Sequence, residues 1–167
     1  MQSTTTMRFA GGLLRVLVIL NIVCLLLFAT IGLGSFLIEE RLLRTLTENG
    51  ISDPASRLAG MRLALLLGGL AVLPAHLLLT RLQRMVASVG AGEAFAPVNA
   101  VRLKRIAWAL LALQFLDLAF AWLSFRFDES FSWTPSVTGW LAVLLLFVLA
   151  QVFEQGAAMR EELDATV

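Results

Sequence analysis

The stretch RLQRMVASVGAGEAFAPVNAVRLKR, residues 81–105, is a basic segment set between two long apolar runs. Those runs are MRLALLLGGLAVLPAHLLL at 61–79 and IAWALLALQFLDLAFAWL at 106–123. Each is as long as a helix must be to cross the hydrocarbon core of a bilayer, about 20 residues within a range near 17–25. Working outward, two further runs of this kind occupy 16–38 and 137–153. The chain is 59% hydrophobic and 15% charged, with mean hydropathy +0.84. A soluble domain carries roughly a quarter charged residues, and a chain of 167 residues has no interior large enough to hide this much apolar surface. Spans of this length must satisfy their backbone internally, so they read as helices. The expected fold is all-α: a four-transmembrane-helix bundle forming one integral membrane domain over 1–167. Its helices are expected over about 13–48, 54–89, 100–125 and 136–163.

Charge placement predicts an orientation. The segment 81–105 sets five cations against one acid, Glu93. With the N-terminus in the cytoplasm, eight of the 13 Lys and Arg residues fall inside: Arg8, Arg15, Arg81, Arg84, Arg102, Lys104, Arg105 and Arg160. Arg41, Arg44, Arg57, Arg62 and Arg126 fall outside, balanced by acids such as Glu39, Glu40 and Asp53. By the positive-inside rule both termini are cytoplasmic. The first run has the basic front of a signal peptide. Its apolar core exceeds the usual 7–15 residues and no small-residue cleavage site closes it, so an uncleaved span is expected.

Composition argues against several function classes. A single cysteine, Cys24, and a single histidine, His76, cannot build a disulfide framework or a Cys/His metal cluster. There is no phosphate-cradling glycine motif and no constellation of nucleophile, base and acid. The expectation is therefore no enzyme, no cofactor and no metal. A net charge of +1 gives no field to recruit nucleic acid directly.

Local signals fill in the connections. Leu42, Leu43 and Leu46 continue the period of the first span until Asn49-Gly50 stops it. Asp53 reads as an N-cap with Pro54 at the first helical position. Trp122, Trp133 and Trp140 suit an aromatic belt on the outer side. On the inner side, Leu82, Met85, Val86 and Val89 extend the second helix amphipathically. Gly90 and Gly92 end it, Pro97 opposes helix through the next turn, and Asn99 is expected to cap the third helix. The tail offers an acidic face of Glu154, Glu161 and Glu162 toward the basic segment.

Polar residues within the spans are few. Asp117 is the carboxylate well inside a span, where insertion costs roughly 2.5–3.5 kcal/mol. Gln114, three residues earlier, shares its face. Two readings are open for this pair: a proton or cation relay, or hydrogen-bonded glue between helices. The lack of a second carboxylate at matching depth favours glue. His76, after Pro74, reads as a pH sensor or as a hydrogen-bonded packing residue beside a kink, the latter favoured. Gly60, Ala64 and Gly68 are spaced for close helix approach, in a tight bundle or a homo-oligomer.

Two sets of residues carry a family resemblance. The first is Leu82, Met85-Val86, Ser88-Val89, Gly92, Phe95, Asn99, Arg102-Leu103, Ile106 and Trp108. The second is Phe153, Gly156, Met159, Glu161-Glu162, Asp164 and Thr166-Val167. Together they resemble the uncharacterised bacterial membrane-protein family called domain of unknown function 2975 (DUF2975). The resemblance implies a multi-pass protein of the bacterial inner membrane with no assigned enzymatic activity. It also implies pairing with a small helix-turn-helix regulator. The leading expectation is an interaction protein, embedded in the lipid bilayer, whose segment 81–105 and tail 154–167 bind such a cytoplasmic regulator. Gly92, Phe95, Asn99, Arg102, Arg160, Glu161 and Glu162 form the expected surface. The alternative is a small oligomeric transporter or channel subunit using Gln114 and Asp117.

Overall fold

A computed structural model describes residues 2–93, 96–127 and 133–165, with side chains described over 9–93, 96–127 and 133–159. The described residues form five helices: α1 (Gln2–Leu37), α2 (Glu39–Glu48), α3 (Pro54–Gly90), α4 (Pro97–Phe127) and α5 (Val137–Ala165). Four of them, all but α2, are long and apolar enough to cross a membrane.

The boundaries depart from expectation in two places. The first predicted helix is two helices, because Ile38 leaves the helical region (φ −116°, ψ 23°). Backbone bonds run through the break, from the Ile38 N–H to the Gly34 carbonyl and from the Leu42 N–H to the Ile38 carbonyl. The result is an elbow rather than a loop. Beyond it α2 keeps Leu42, Leu43 and Leu46 half-buried and its charges exposed, the character of a helix lying at an interface. The second departure is α4, which starts at Pro97 and not near residue 100. Proline suits the first turn of a helix, where its missing N–H leaves no gap and its φ is already helical. Pro97 therefore launches the helix it was expected to oppose.

Two helix ends close with the same device. After α2, Gly50 has φ +78°, its N–H reaches the Thr47 carbonyl and the Ile51 N–H reaches the Leu46 carbonyl. After α3, Gly92 has φ +85°, its N–H reaches the Val89 carbonyl and the Glu93 N–H reaches the Ser88 carbonyl. Both are Schellman motifs, which place glycine in the left-handed region because a Cβ there is strained. At the start of α3 the Asp53 carboxylate accepts from the Ser56 N–H at 3.1 Å, with Pro54 following, as the sequence predicted.

The spanning helices form an open row rather than a closed bundle. α1 packs on α3, α3 on α4, and α4 on α5; among the described residues no other pair of spanning helices makes close contact. The interfaces are built on small residues, as lipid-embedded packing requires, since apolar burial drives little association where the solvent is itself apolar. Gly68 of α3 forms a socket for the Phe28 ring of α1, and Gly60 a socket for Phe127 of α4. The small-residue stripe thus serves two intramolecular seams. α4 and α5 are joined by edge-to-face aromatic pairs, Trp108–Phe147 at 5.4 Å and Phe115–Trp140 at 5.7 Å. Such pairs contribute roughly 0.5–1.5 kcal/mol beyond their area.

Candidate functional site

The α3–α4 turn is knotted by side chains. Asn99 is fully buried, at 0% exposure. Its amide donates to the Glu93 carbonyl at 2.9 Å and to the Ser88 hydroxyl at 3.1 Å, and that hydroxyl donates in turn to the same carbonyl at 3.2 Å. The Asn99 carbonyl oxygen accepts from Arg102 Nη1 at 2.9 Å, and the same nitrogen lies 3.3 Å from the Arg84 carbonyl. Asn99 therefore does not cap its own helix with its side chain. It sits in the first turn of α4 and ties that turn back to the end of α3. Its full burial removes it from any partner surface. Gly92 is exposed and shapes the backbone; Arg102 is half-buried and braced on the knot. Phe95 lies outside the described residues, as do the side chains of Arg160, Glu161 and Glu162.

Two surfaces flank this knot. On one side Arg81, Arg84, Arg102 and Arg105 gather, close enough that the charges of Arg105, Arg84 and Arg102 act on Arg81. On the other side a groove of about 300 Å³ runs between α4 and α5, lined by Pro97, Ala100, Val101, Lys104, Glu154, Ala157 and Ala158. The basic segment and the tail helix thus share a wall, with Lys104 and Glu154 facing one groove. Glu154 belongs to the acidic face expected to point toward the basic segment; the side chains of Glu161 and Glu162 lie outside the described residues.

Asp117 and Gln114 both face α5. The Asp117 carboxylate accepts from the Trp133 indole N–H at 2.6 Å and from the Ser136 backbone N–H at 2.9 Å. Ser136 immediately precedes α5, so the carboxylate sits at the start of that helix, where an anion is favoured by the orphan N–H groups and the dipole. Asp117 thus lies level with the start of α5 while remaining well inside the apolar run of α4. α4 runs ten residues past this point, from Asp117 to Phe127, an overshoot of about 15 Å. Gln114 is buried against Gly139, where a Cβ would collide with the amide, and its Oε1 has no donor. His76 is half-buried two residues past Pro74. Its backbone carbonyl accepts from the Thr80 hydroxyl at 2.8 Å; among the described residues its imidazole makes no hydrogen bond, contrary to expectation.

Sequence reading missed Arg62. This arginine near the start of the α3 apolar run spans to the α1–α2 elbow. Its Nη2 donates to the Ser35 carbonyl at 2.8 Å and pairs with Glu39 at 3.1 Å, and its Nε donates to the Ser35 hydroxyl at 3.1 Å. The guanidinium also stacks 3.9 Å over the Phe36 ring. Ser35 lies in the last turn of α1, so Arg62 satisfies one of the carbonyls a helix end leaves open. The available signal was a cation inside an apolar run, which demands a partner.

No curated protein and no solved structure matches the chain. The model of one family does, described as protein of unknown function (DUF2975), over residues 13–167, and the chain belongs to that family.

Proposed function

We propose that this chain is an interaction protein of the bacterial inner membrane. In this reading its α3–α4 turn and the end of α5 face the cytoplasm and hold a small regulator, of the helix-turn-helix kind that the family resemblance implies. The observation that carries the reading is the groove between α4 and α5. It is apolar along Ala100, Val101, Ala157 and Ala158, with one charge of each sign, Lys104 and Glu154, to fix the register of a docked helix. The knot at Asn99 supports it, because a rigid turn presents a docking surface at little entropic cost. The excess of cations at this end supports the orientation.

The test is site-directed photo-crosslinking of the full chain in native membranes, with the probe at Val101 or Ala158. A discrete soluble partner trapped from the cytoplasmic side, and lost on Ala157→Trp, is the expected result. Crosslinks to lipid alone at both positions would sink the proposal.

A second reading, an oligomeric transporter or channel subunit, rests on the donorless Gln114 Oε1. Asp117 counts against a relay there, since two donors already hold its carboxylate. Proteoliposome flux that is abolished by Gln114→Leu would favour this second reading.

A further inference from the structure

We infer that Arg81, Arg84, Arg102 and Arg105 form a binding site for the phosphate of an anionic phospholipid headgroup. Each helix contributes two of them three residues apart, hence on one face: Arg81 and Arg84 from α3, Arg102 and Arg105 from α4. The helices are packed neighbours, and the Arg102 guanidinium reaches across to the Arg84 carbonyl at 3.3 Å. The charges acting on Arg81 are those of the other three arginines, with no carboxylate among them. Among the described residues the guanidinium groups of Arg81, Arg84 and Arg105 make no hydrogen bond or ion pair. Among the described side chains, four mutually repelling cations are thus gathered without an anion.

Depth names the anion. Arg81 stands two residues beyond the apolar run that ends at Leu79, and Arg105 immediately precedes the run that begins at Ile106. Both helices therefore bring their arginines to the level where hydrocarbon gives way to headgroups. Phosphate presents several acceptor oxygens to several guanidinium forks, each able to bind two of them. One guanidinium is already set: Arg102 is fixed at 2.9 Å through the side-chain oxygen of the fully buried Asn99. An acidic soluble peptide suits this place less well, since it would have to descend to headgroup depth. The site is separate from the Lys104–Glu154 groove and does not depend on the regulator reading.

The experiment is native mass spectrometry of the full chain released from vesicles holding equal phosphatidylglycerol and phosphatidylcholine. The wild type should retain phosphatidylglycerol preferentially and gain more thermal stability from it than from phosphatidylcholine. The combined change Arg81→Gln, Arg84→Gln, Arg105→Gln should lower the retained phosphatidylglycerol about five-fold or more. The corresponding lysine triple, which keeps charge but loses the forks, should fall between. Arg41→Gln with Arg44→Gln, at the opposite end, should leave retention unchanged. Circular dichroism and size-exclusion profiles in phosphatidylcholine alone establish that the variants are folded. Equal loss in the Arg41/Arg44 control overturns the site. So does a wild type that prefers neither lipid, which is read without any variant. Displacement of the lipid by millimolar inorganic phosphate, or by an oligoglutamate peptide, overturns the lipid as the occupant.

Discussion

Arg62 at the α1–α2 elbow and Arg102 at the α3–α4 turn do the same mechanical job at opposite ends of the row. Each braces a chain reversal by donating to a backbone carbonyl of a neighbouring helix. Their surroundings differ. Arg62 has a carboxylate partner, Glu39, and an aromatic ring beneath it. At that same end Asp117 is held by Trp133 and Ser136. Arg102 instead rests on a neutral amide and stands among three other arginines. The brace at the elbow is neutralised within the chain, while the brace at the turn is held mechanically and, among the described side chains, has no carboxylate beside it. A brace that is neutralised is a structural one. An end that is rigid and yet uncompensated is where an external anion or partner gains the most.

The contrast can be broken first at the knot. Asn99→Leu should destabilise the protein by about 2–4 kcal/mol, because it removes three hydrogen bonds at once and unties Ser88, Glu93 and Arg102 from one another, leaving only the Ser88–Glu93 and Arg102–Arg84 contacts. Reversible unfolding in mixed micelles measures it, and a cost under about 1 kcal/mol would mean the turn is not held by this amide. At the opposite end Arg62→Ala should cost about 1.5–3 kcal/mol, chiefly by taking the donor from the buried Ser35 carbonyl and hydroxyl, since the exposed Glu39 regains water. Arg62→Lys should recover part of that by keeping the ion pair. Between the ends, where no polar group takes part, Gly68→Ala should cost about 1–3 kcal/mol by pushing a methyl into the Phe28 ring. Pairing it with Phe28→Leu should restore most of the loss in a double-mutant cycle. The smallest effect belongs to Asp117→Asn, about 0.6 kcal/mol, since one oxygen remains to accept from Trp133 or Ser136. Its quenching of Trp133 fluorescence should change even so.

What the sequence reveals of this fold is what is local. The four apolar runs, the Asp53–Pro54 start, and the stops at Gly50 and Gly92 each depend on residues within a turn or two of one another. The elbow at Ile38 escapes such reading, because Leu42, Leu43 and Leu46 carry the helical period straight across it. Its brace, Arg62, lies 27 residues from Ser35. Asn99 looked like a cap because its residue type and position fit one; its true partner, Ser88, is 11 residues back on another helix. The partners of Asp117 escape such reading for a related reason. Counting along α4 places it within a span, while the start of α5, which reaches it, is set by a different segment. The choice of neighbours in the row is likewise invisible to hydropathy, which gives every span an apolar surface all around.

The row also has a meaning in time. Each spanning helix touches the one synthesised immediately before it, with α2 merely intervening between α1 and α3. Every native contact therefore becomes available as soon as the newer helix leaves the ribosome, and none waits for a later one. The contact between α1 and α3 should already be formed in a nascent chain stalled just before α5 is made, when α3 has cleared the ribosome. A protein assembled this way has no stage at which a span must find a distant mate across the bilayer.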